Sequence, residues 1–349
     1  MSSDIVSSVQ TKLASKSRWR IPEIAFWLIA AGALILLPER HLILNEIAIL
    51  GLFALSLDLI LGYAGIVSLG HAAFFGLGAY MAGLLTIYGF TDPLIGLAAS
   101  AGAAALLGFA TSFLMLRGTD LTKLMVSLGV ALVLFEIANQ TAWLTGGADG
   151  LQGVNPGPLF GVFDFDIFGT TACVYSFCVT FLLFLLARRI VVSPYGLSIR
   201  SIRENPLRAR AIGIPVNHRL VAAYTLSAAY AGVAGALLAQ TTQFVSLDVL
   251  SFNRSAEALL VLVIGGAGYL YGGLAGAVVL KVLQEIFSAW TPQYWQFWIG
   301  LILVIIVLIR RERINDAAAT MLSRWKRTAI GNASDRASPS RPQTARPEV

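Results

Sequence analysis

Apolar runs of roughly 20 residues, the length of helix that crosses about 30 Å of hydrocarbon, recur along most of the chain with short polar, glycine- or proline-rich breaks between them. The pattern predicts spans at 21–38, 42–61, 66–88, 93–116, 124–144, 168–187 and 219–241, then 255–266 paired with 272–289, and finally 295–309. The paired segments flank GGAGYLYGG (265–273), a glycine-rich break that reads as the turn of a hairpin, either two crossings or a re-entrant pair. The expected fold is an all-α polytopic integral membrane protein of about ten membrane segments.

Outside the spans the chain divides simply. Residues 1–20 are polar and basic, and no small-residue cleavage pattern closes the run that follows, so a retained first helix is expected. The membrane domain is 21–309, with an outer loop at 145–167 and an inner loop at 188–218. The tail, 310–349, starts basic, with Ile314, Ala317, Met321 and Trp325 at helical spacing, as in helices that lie on a lipid surface. From about 331 it is rich in Ser, Pro, Arg and Ala and is expected to be disordered.

Composition agrees with the spans: 57% of the residues are hydrophobic, 13% are charged and mean hydropathy is +0.75, against about 25% charged in a soluble domain. Charge adds the orientation. With the N-terminus inside, 22 of the 25 basic residues fall on the inner side; only Arg40 and Arg254 fall outside, and Lys281 lies within a span. The positive-inside rule therefore predicts both termini in the cytoplasm. Cys173 and Cys178 lie five apart in one apolar run and read as small buried hydrophobes rather than a disulfide or metal pair.

Three stretches carry candidate chemistry. GYAGIVSLGHAAFFGLGAY (62–80) holds five glycines together with Ser68 and His71. Helices in lipid associate by close backbone approach, which glycine permits. Gly62 and Gly65 can also break the helix at the start of span 66–88, leaving backbone groups that Ser68 satisfies. Broken helices around a midplane cavity are where transporters bind substrate. Gly62, Gly65, Ser68, Gly70 and His71, with Gly265, Gly266 and Gly268 of the second break, are thus candidates for a translocation pathway or for helix breaks; dense packing alone is the alternative.

In the inner loop, Asn205 is a good N-cap, Pro206 suits a first helical position, and Gly213 with Pro215 ends the element. A short basic helix over 205–212 that buries little in its own chain suits docking in a partner's groove; the alternative is a loop that merely obeys the positive-inside rule. Intramembrane acids are few: Asp58 and Glu136 stand out, and Lys281 and Glu285 are spaced for an i,i+4 pair. No nucleotide-binding G-x-x-x-x-G-K-[ST], no H-E-x-x-H and no G-x-S-x-G occurs. The spacing Gly266, Gly268, Gly272 has one residue too many for a dinucleotide fingerprint. No catalytic residue, cofactor site or metal site is expected.

Four stretches, GYAGIVSLGHAAFFGLGAY (62–80), LTGGADGLQGV (144–154), SIRENPLRARAIGI (201–214) and VIGGAGYLYGGLAGA (263–277), occur in this order. Together they resemble the LivM-type permease subunits of branched-chain amino acid ABC importers, a wider group that includes LivH-type, ribose-type and urea permeases. The resemblance covers about 42–309. It implies a non-enzymatic subunit of a bacterial inner membrane importer, paired with a second, LivH-like permease chain. Two cytoplasmic ATPase subunits would bind ATP and Mg, and a periplasmic binding protein would deliver the solute; no nucleic acid is involved. It also implies that Ile202, Arg203, Glu204, Asn205, Arg208, Ala209 and Gly213 belong to the coupling loop that contacts the ATPase. Family members often carry an acidic or polar residue about thirteen positions before the TGG that matches Thr145–Gly147. Leu132 stands there in this chain, and Glu136 one turn later receives no role. A stand-alone ion-coupled carrier or channel is the competing class, and a membrane enzyme a distant third.

Overall fold

The computed structural model describes residues 21–166 and 169–308. The basic segment 1–20, the amphipathic stretch 310–327 and the tail expected to be disordered from 331 lie outside the described residues. The helices are α1 Ile21–Leu36, α2 His41–Asp58, α3 Ala72–Ile87, α4 Pro93–Met115, α5 Asp120–Gln140, α6 Thr170–Val192, α7 Pro194–Glu204, α8 Pro206–Ala211, α9 Val216–Thr242, α10 Phe252–Gly265, α11 Gly272–Trp290 and α12 Trp295–Leu308. Among the described residues the only strand-like pairings are isolated bridges, Leu151 with Val245 and Leu159 with Phe163. Six helical segments are long and apolar enough to cross a membrane: Pro38–Tyr63, Pro93–Met115, Asp120–Gln140, Thr170–Val192, Val216–Thr242 and Gly272–Trp290. The protein is thus a multi-pass, all-helical membrane protein. Among the described residues, 294–308, which include α12, form a unit of their own.

Helix starts follow the local sequence. Asp92 caps α4, its side chain accepting from the Leu94 N–H at 2.9 Å, with Pro93 at the first helical position. Thr119, Ser193, Asn205 and Ser251 cap α5, α7, α8 and α10 in the same way. Each cap supplies an acceptor to a backbone N–H that lacks an intrahelical partner.

The core is the crossing of α3, α4 and α9, built from small residues. A Cβ on Gly78 would strike the Gly232 carbonyl, and one on Gly235 would strike that of Phe75. Ala228, Ala231, Ala234 and Ala236 of α9 are fully buried. Several polar groups inside pair between helices: Ser100 donates to the Gly78 carbonyl at 2.8 Å, and Tyr175 donates to Gln240 Oε1 at 2.8 Å while Gln240 Nε2 donates to the Pro93 carbonyl at 2.9 Å. Close approach of this kind replaces the hydrophobic drive that lipid does not provide.

The connections gather at two ends. Residues 88–92, 145–157 and 243–251 are hydrogen bonded to one another: Gly157 N–H donates to the Thr91 carbonyl at 2.8 Å and Leu151 N–H to the Val245 carbonyl at 2.8 Å. Following the chain, 116–119 and 193–215 fall at the opposite end.

Three expectations need correction. Residues 66–71, placed at the head of a span 66–88, are not helical, and α3 begins only at Ala72. Lys281 and Glu285 do not pair with each other: Lys281 Nζ lies 2.9 Å from Glu46 of α2, and Glu285 pairs with Arg40. Opposite charges across the α2–α11 contact are nearer than those one turn away. Both cysteines are free, but only Cys173 is buried, and Cys178 is exposed. Five helical residues separate them by about 140° around the axis.

Candidate functional site

Two helix interruptions meet at one place. After Asp58, α2 loosens into a π-helical turn, Leu59–Tyr63, and the chain then runs non-helically to His71. Gly65 there takes φ +74, a left-handed conformation open mainly to glycine. The second interruption is the turn between α10 and α11, where Gly266 and Gly268 take φ +97 and +84. Asp58, fully buried, bridges them: its Oδ1 accepts from the Gly268 N–H at 2.7 Å. Gly62 must lack a side chain, because a Cβ there would meet both Asp58 Oδ1 and the Gly268 nitrogen. A π turn followed by a break frees backbone carbonyls, and the Gly62 carbonyl accepts from Arg203 of α7.

The rest of the first interruption is held by serines from neighbouring helices. Leu69 N–H donates to Ser127 Oγ at 3.1 Å, and Ala72 N–H donates to Ser255 Oγ at 2.9 Å. Gly70 lies so close to α5 that a Cβ would strike the Ser127 carbonyl. His71 is enclosed: its Nε2 is 2.9 Å from Ser56 Oγ, and its ring stacks on Phe53 at 5.7 Å and meets Phe74 edge-on at 5.5 Å. Ser227 ties the same cluster to α9 by donating to the Ser56 carbonyl at 2.5 Å. Ser68 is fully buried with its hydroxyl unpartnered, so it does not satisfy freed backbone groups as expected.

The inner loop is two helices rather than one. Asn205 separates them, its side chain accepting from the Arg208 N–H at 2.9 Å to start α8, and Gly213 takes φ +86 after α8 ends. Helix α7, not anticipated, is announced in the sequence by Ser193-Pro194, the same cap-then-proline signal as Asn205-Pro206. Ile202, Ala209 and Val216 form a buried cluster with Ile214 and Leu220 against it, fixing α7 and α8 to the start of α9. Tyr195 adds a tie, its hydroxyl donating to the Arg219 carbonyl at 3.0 Å; burial pushes that phenol up to about 12.

The residues expected to contact an ATPase therefore divide. Ile202 and Ala209 are buried in the chain itself, so they do not offer a docking face, and the element buries more than expected. Arg203 is exposed on one side yet reaches Gly62. Glu204, Asn205, Arg208 and Gly213 are exposed. So are Leu207 (75%) and Ile212 (69%), apolar residues that the sequence motif did not single out.

Of the helix-break candidates, Gly62, Gly65 and Gly268 come together with Asp58 and Arg203. Gly265 serves the α10–α11 packing instead, since a Cβ there would strike the Gly272 carbonyl. Gly266 is buried in the turn beside it, with its N–H donating to the Leu262 carbonyl at 2.7 Å. Ser68, Gly70 and His71 belong to the packed serine–histidine cluster. Glu136 is remote from both, exposed and accepting from Gln140 at 2.6 Å. Among the described residues no group of His, Cys, Asp or Glu could hold a metal ion.

Comparison with known proteins places this architecture. Residues 41–307 match the family described as branched-chain amino acid transport system, permease component. The chain is 30% identical over 288 residues to the high-affinity branched-chain amino acid transport system permease protein LivM of Salmonella typhimurium, covering 75% of this chain and 66% of that protein. It is 29% identical to LivM of Escherichia coli with the same coverage. It is also 28% identical over 304 residues to the fructose import permease protein FrcC of Rhizobium meliloti, covering 82% and 81% of the two chains. The chain thus spans just under two thirds of the length of the LivM relatives. No solved structure matches it.

Proposed function

This chain belongs to the branched-chain amino acid transport system permease family, and on that premise we propose that it is the membrane-spanning subunit of an ATP-driven importer of branched-chain amino acids. ATP and Mg bind to partner ATPase chains, and this chain hydrolyses nothing. It pairs with a second permease of LivH type and receives solute from a binding protein outside the bacterial inner membrane. Ten membrane segments and cytoplasmic termini complete the reading, with α10 and α11 as a hairpin that starts and ends outside.

Charge supports the orientation. The connections 37–40, 88–92, 141–166 and 243–251 hold Glu39, Asp92, Asp149, Asp164, Asp166 and Asp248 against Arg40 alone. Those at the opposite end, 116–119 and 193–215, hold Arg117, Arg200, Arg203, Arg208 and Arg210 against Glu204 alone. The second end is the cytoplasmic one by the positive-inside rule.

The observation that carries the reading is the α7–α8 unit at that basic end. It is anchored by Ile202, Ala209 and Val216 and presents Leu207, Arg208, Arg210 and Ile212 outward. An apolar pair among exposed arginines on a rigid base is the composition of a protein-docking surface.

The experiment is purification of the tagged chain from its native membrane in mild detergent. Stoichiometric recovery of a second permease-like chain and P-loop ATPases is expected, with ATP-dependent uptake of leucine, isoleucine or valine by the reconstituted complex. Fructose belongs in the same assay because of the FrcC relative. Recovery of the chain alone, transporting in liposomes without ATP, would overturn the reading.

A further inference from the structure

Arg203 sits in the last turn of α7 and touches both helix interruptions at once. Its stem runs along Gly65, where an added Cβ would come within 3.0 Å of Cγ. Its Nη1 donates to the Gly62 carbonyl, and a Cβ on Gly268 would lie 3.2 Å from that same nitrogen. Asp58 holds the N–H of that same Gly268 at 2.7 Å. One turn earlier Arg200 rests its guanidinium 4.9 Å from the centre of the Tyr63 ring. At all three glycines an added Cβ would press on Asp58, Gly268 or Arg203.

The rest of the α7–α8 unit leads elsewhere. Ile202, Ala209, Val216 and the Tyr195–Arg219 bond tie it to α9, and α9 is locked into α3 and α4 by backbone-to-backbone contact. The π turn and the α10–α11 turn meet instead through the Asp58–Gly268 bond and the close approach of Gly62 to Gly268, and they reach α7 through the Arg203 and Arg200 guanidinium groups. A guanidinium is a planar fork of five donors that keeps its charge, so it can hold the Gly62 carbonyl and face Asp58 without a change of protonation.

We propose that Arg203 is the positioning residue through which a displacement of α7–α8 by the bound ATPase reaches both helix interruptions, so that the end of α2 and the α10–α11 turn move together. This rests on the importer reading above. Arg203 is then not a docking residue: the outward face formed by Leu207, Arg208, Arg210 and Ile212 receives the ATPase, and Arg203 hands the motion on.

The test uses the whole complex, purified with its ATPase chains and reconstituted with its binding protein, with radiolabelled leucine as the probe. Arg203→Ala is expected to recover ATPase chains in parental amounts while the ATP consumed per leucine imported rises at least tenfold. Arg203→Lys, which keeps one charged donor, is expected to restore part of the coupling. Tyr269→Cys in a Cys178→Ser background reports the turn directly, since Tyr269 is exposed. Its maleimide labelling rate should differ between nucleotide-free and ATP-bound complex in the parent and be insensitive to ATP in Arg203→Ala. Where Arg203→Ala fails to insert, Arg203→Gln, neutral but still a donor, is expected to uncouple in the same way.

Parental coupling and parental ATP-sensitivity of labelling in these variants would overturn the proposal. So would loss of ATPase recovery in step with loss of uptake, which would make Arg203 a docking or folding residue. If the parent itself recovers no ATPase and imports without ATP, the importer reading fails as well, and that outcome is visible before any variant is made.

Discussion

The α3–α4–α9 crossing and the junction of the two helix interruptions are both rich in glycine, and they use it in opposite ways. At the crossing, Gly78, Gly232 and Gly235 are helical and face another helix's backbone, Gly78 against Gly232 and Gly235 against Phe75. Where neighbouring side chains add bonds, as Ser100 does to the Gly78 carbonyl, they join helix to helix. At the junction, Gly65, Gly266 and Gly268 take positive φ, and backbone groups leave the helical ladder to be met by Arg203 and Asp58. The first arrangement binds helices into one body. The second leaves chain segments held by a few charged hydrogen bonds, each of which can be exchanged. In a medium without water such exchange needs a side chain at hand, which is what α7 supplies.

The sharpest way to break this comparison is to place bulk on each kind of glycine. Gly78→Leu should remove the protein from the membrane fraction, since over-packing a tight contact costs about 1–3 kcal/mol and here the obstacle is backbone. Gly65→Ala, whose Cβ would meet first the flexible Arg203 stem, should insert normally and lose leucine uptake by about 100-fold, the scale of a small misplacement in a positioned site. Equal loss of both proteins from the membrane would erase the distinction.

A smaller effect sharpens the junction's outer side. Leu207→Ala combined with Ile212→Ala should leave membrane levels unchanged and weaken ATPase recovery about tenfold, as expected when two apolar anchors of an interface are truncated. Detergent pull-down against increasing ATPase concentration measures it. Unchanged recovery would remove α8 as the docking face.

Asp58→Asn keeps an acceptor for the Gly268 N–H but removes the charge opposite Arg203. A charged hydrogen bond exceeds a neutral one by ~1 kcal/mol, so initial uptake rates should fall about fivefold with normal insertion. Lys281→Gln, which takes a largely buried ammonium from Glu46, should lower thermal stability by about 1–3 kcal/mol, the cost of leaving a charged group without its partner. A larger shift would make the α2–α11 contact part of the rigid body.

How much of this was legible in sequence differs between the same two regions. The crossing was open to reading: spans over 93–116 and 219–241 agree with α4 and α9 to within three residues at each end, because periodic burial and small residues are local signals. The junction was only half legible. Gly62, Gly65 and Gly268 stood out as breaks, and Asn205-Pro206 announced α8. Residues 66–71 looked like membrane helix because Ile66, Val67 and Leu69 are apolar, and hydropathy does not register that the break at Gly65 runs on to His71. The partners that hold the junction are far apart in sequence: Asp58 with Gly268, Arg203 with Gly62, Ser127 with Leu69, Ser255 with Ala72. The same blindness to opposing helices produced the mistaken Lys281–Glu285 pair. Nothing in the motif around 202–213 distinguishes side chains that face the membrane domain from those that face away, so Ile202, Arg203 and Arg208 entered as equals.

The connections holding Glu39, Asp92, Asp149, Asp164, Asp166, Asp248 and Arg40 sum to five negative charges. Their field extends about 8 Å into physiological saline before counter-ions cancel it. A zwitterion drifting into that layer is torqued until its ammonium leads and its carboxylate trails, a partial alignment gained before any pocket is met. Free anions are thinned out of the same layer and cations enriched. Concentrated salt shrinks the layer to ~3 Å, the thickness of a single water shell.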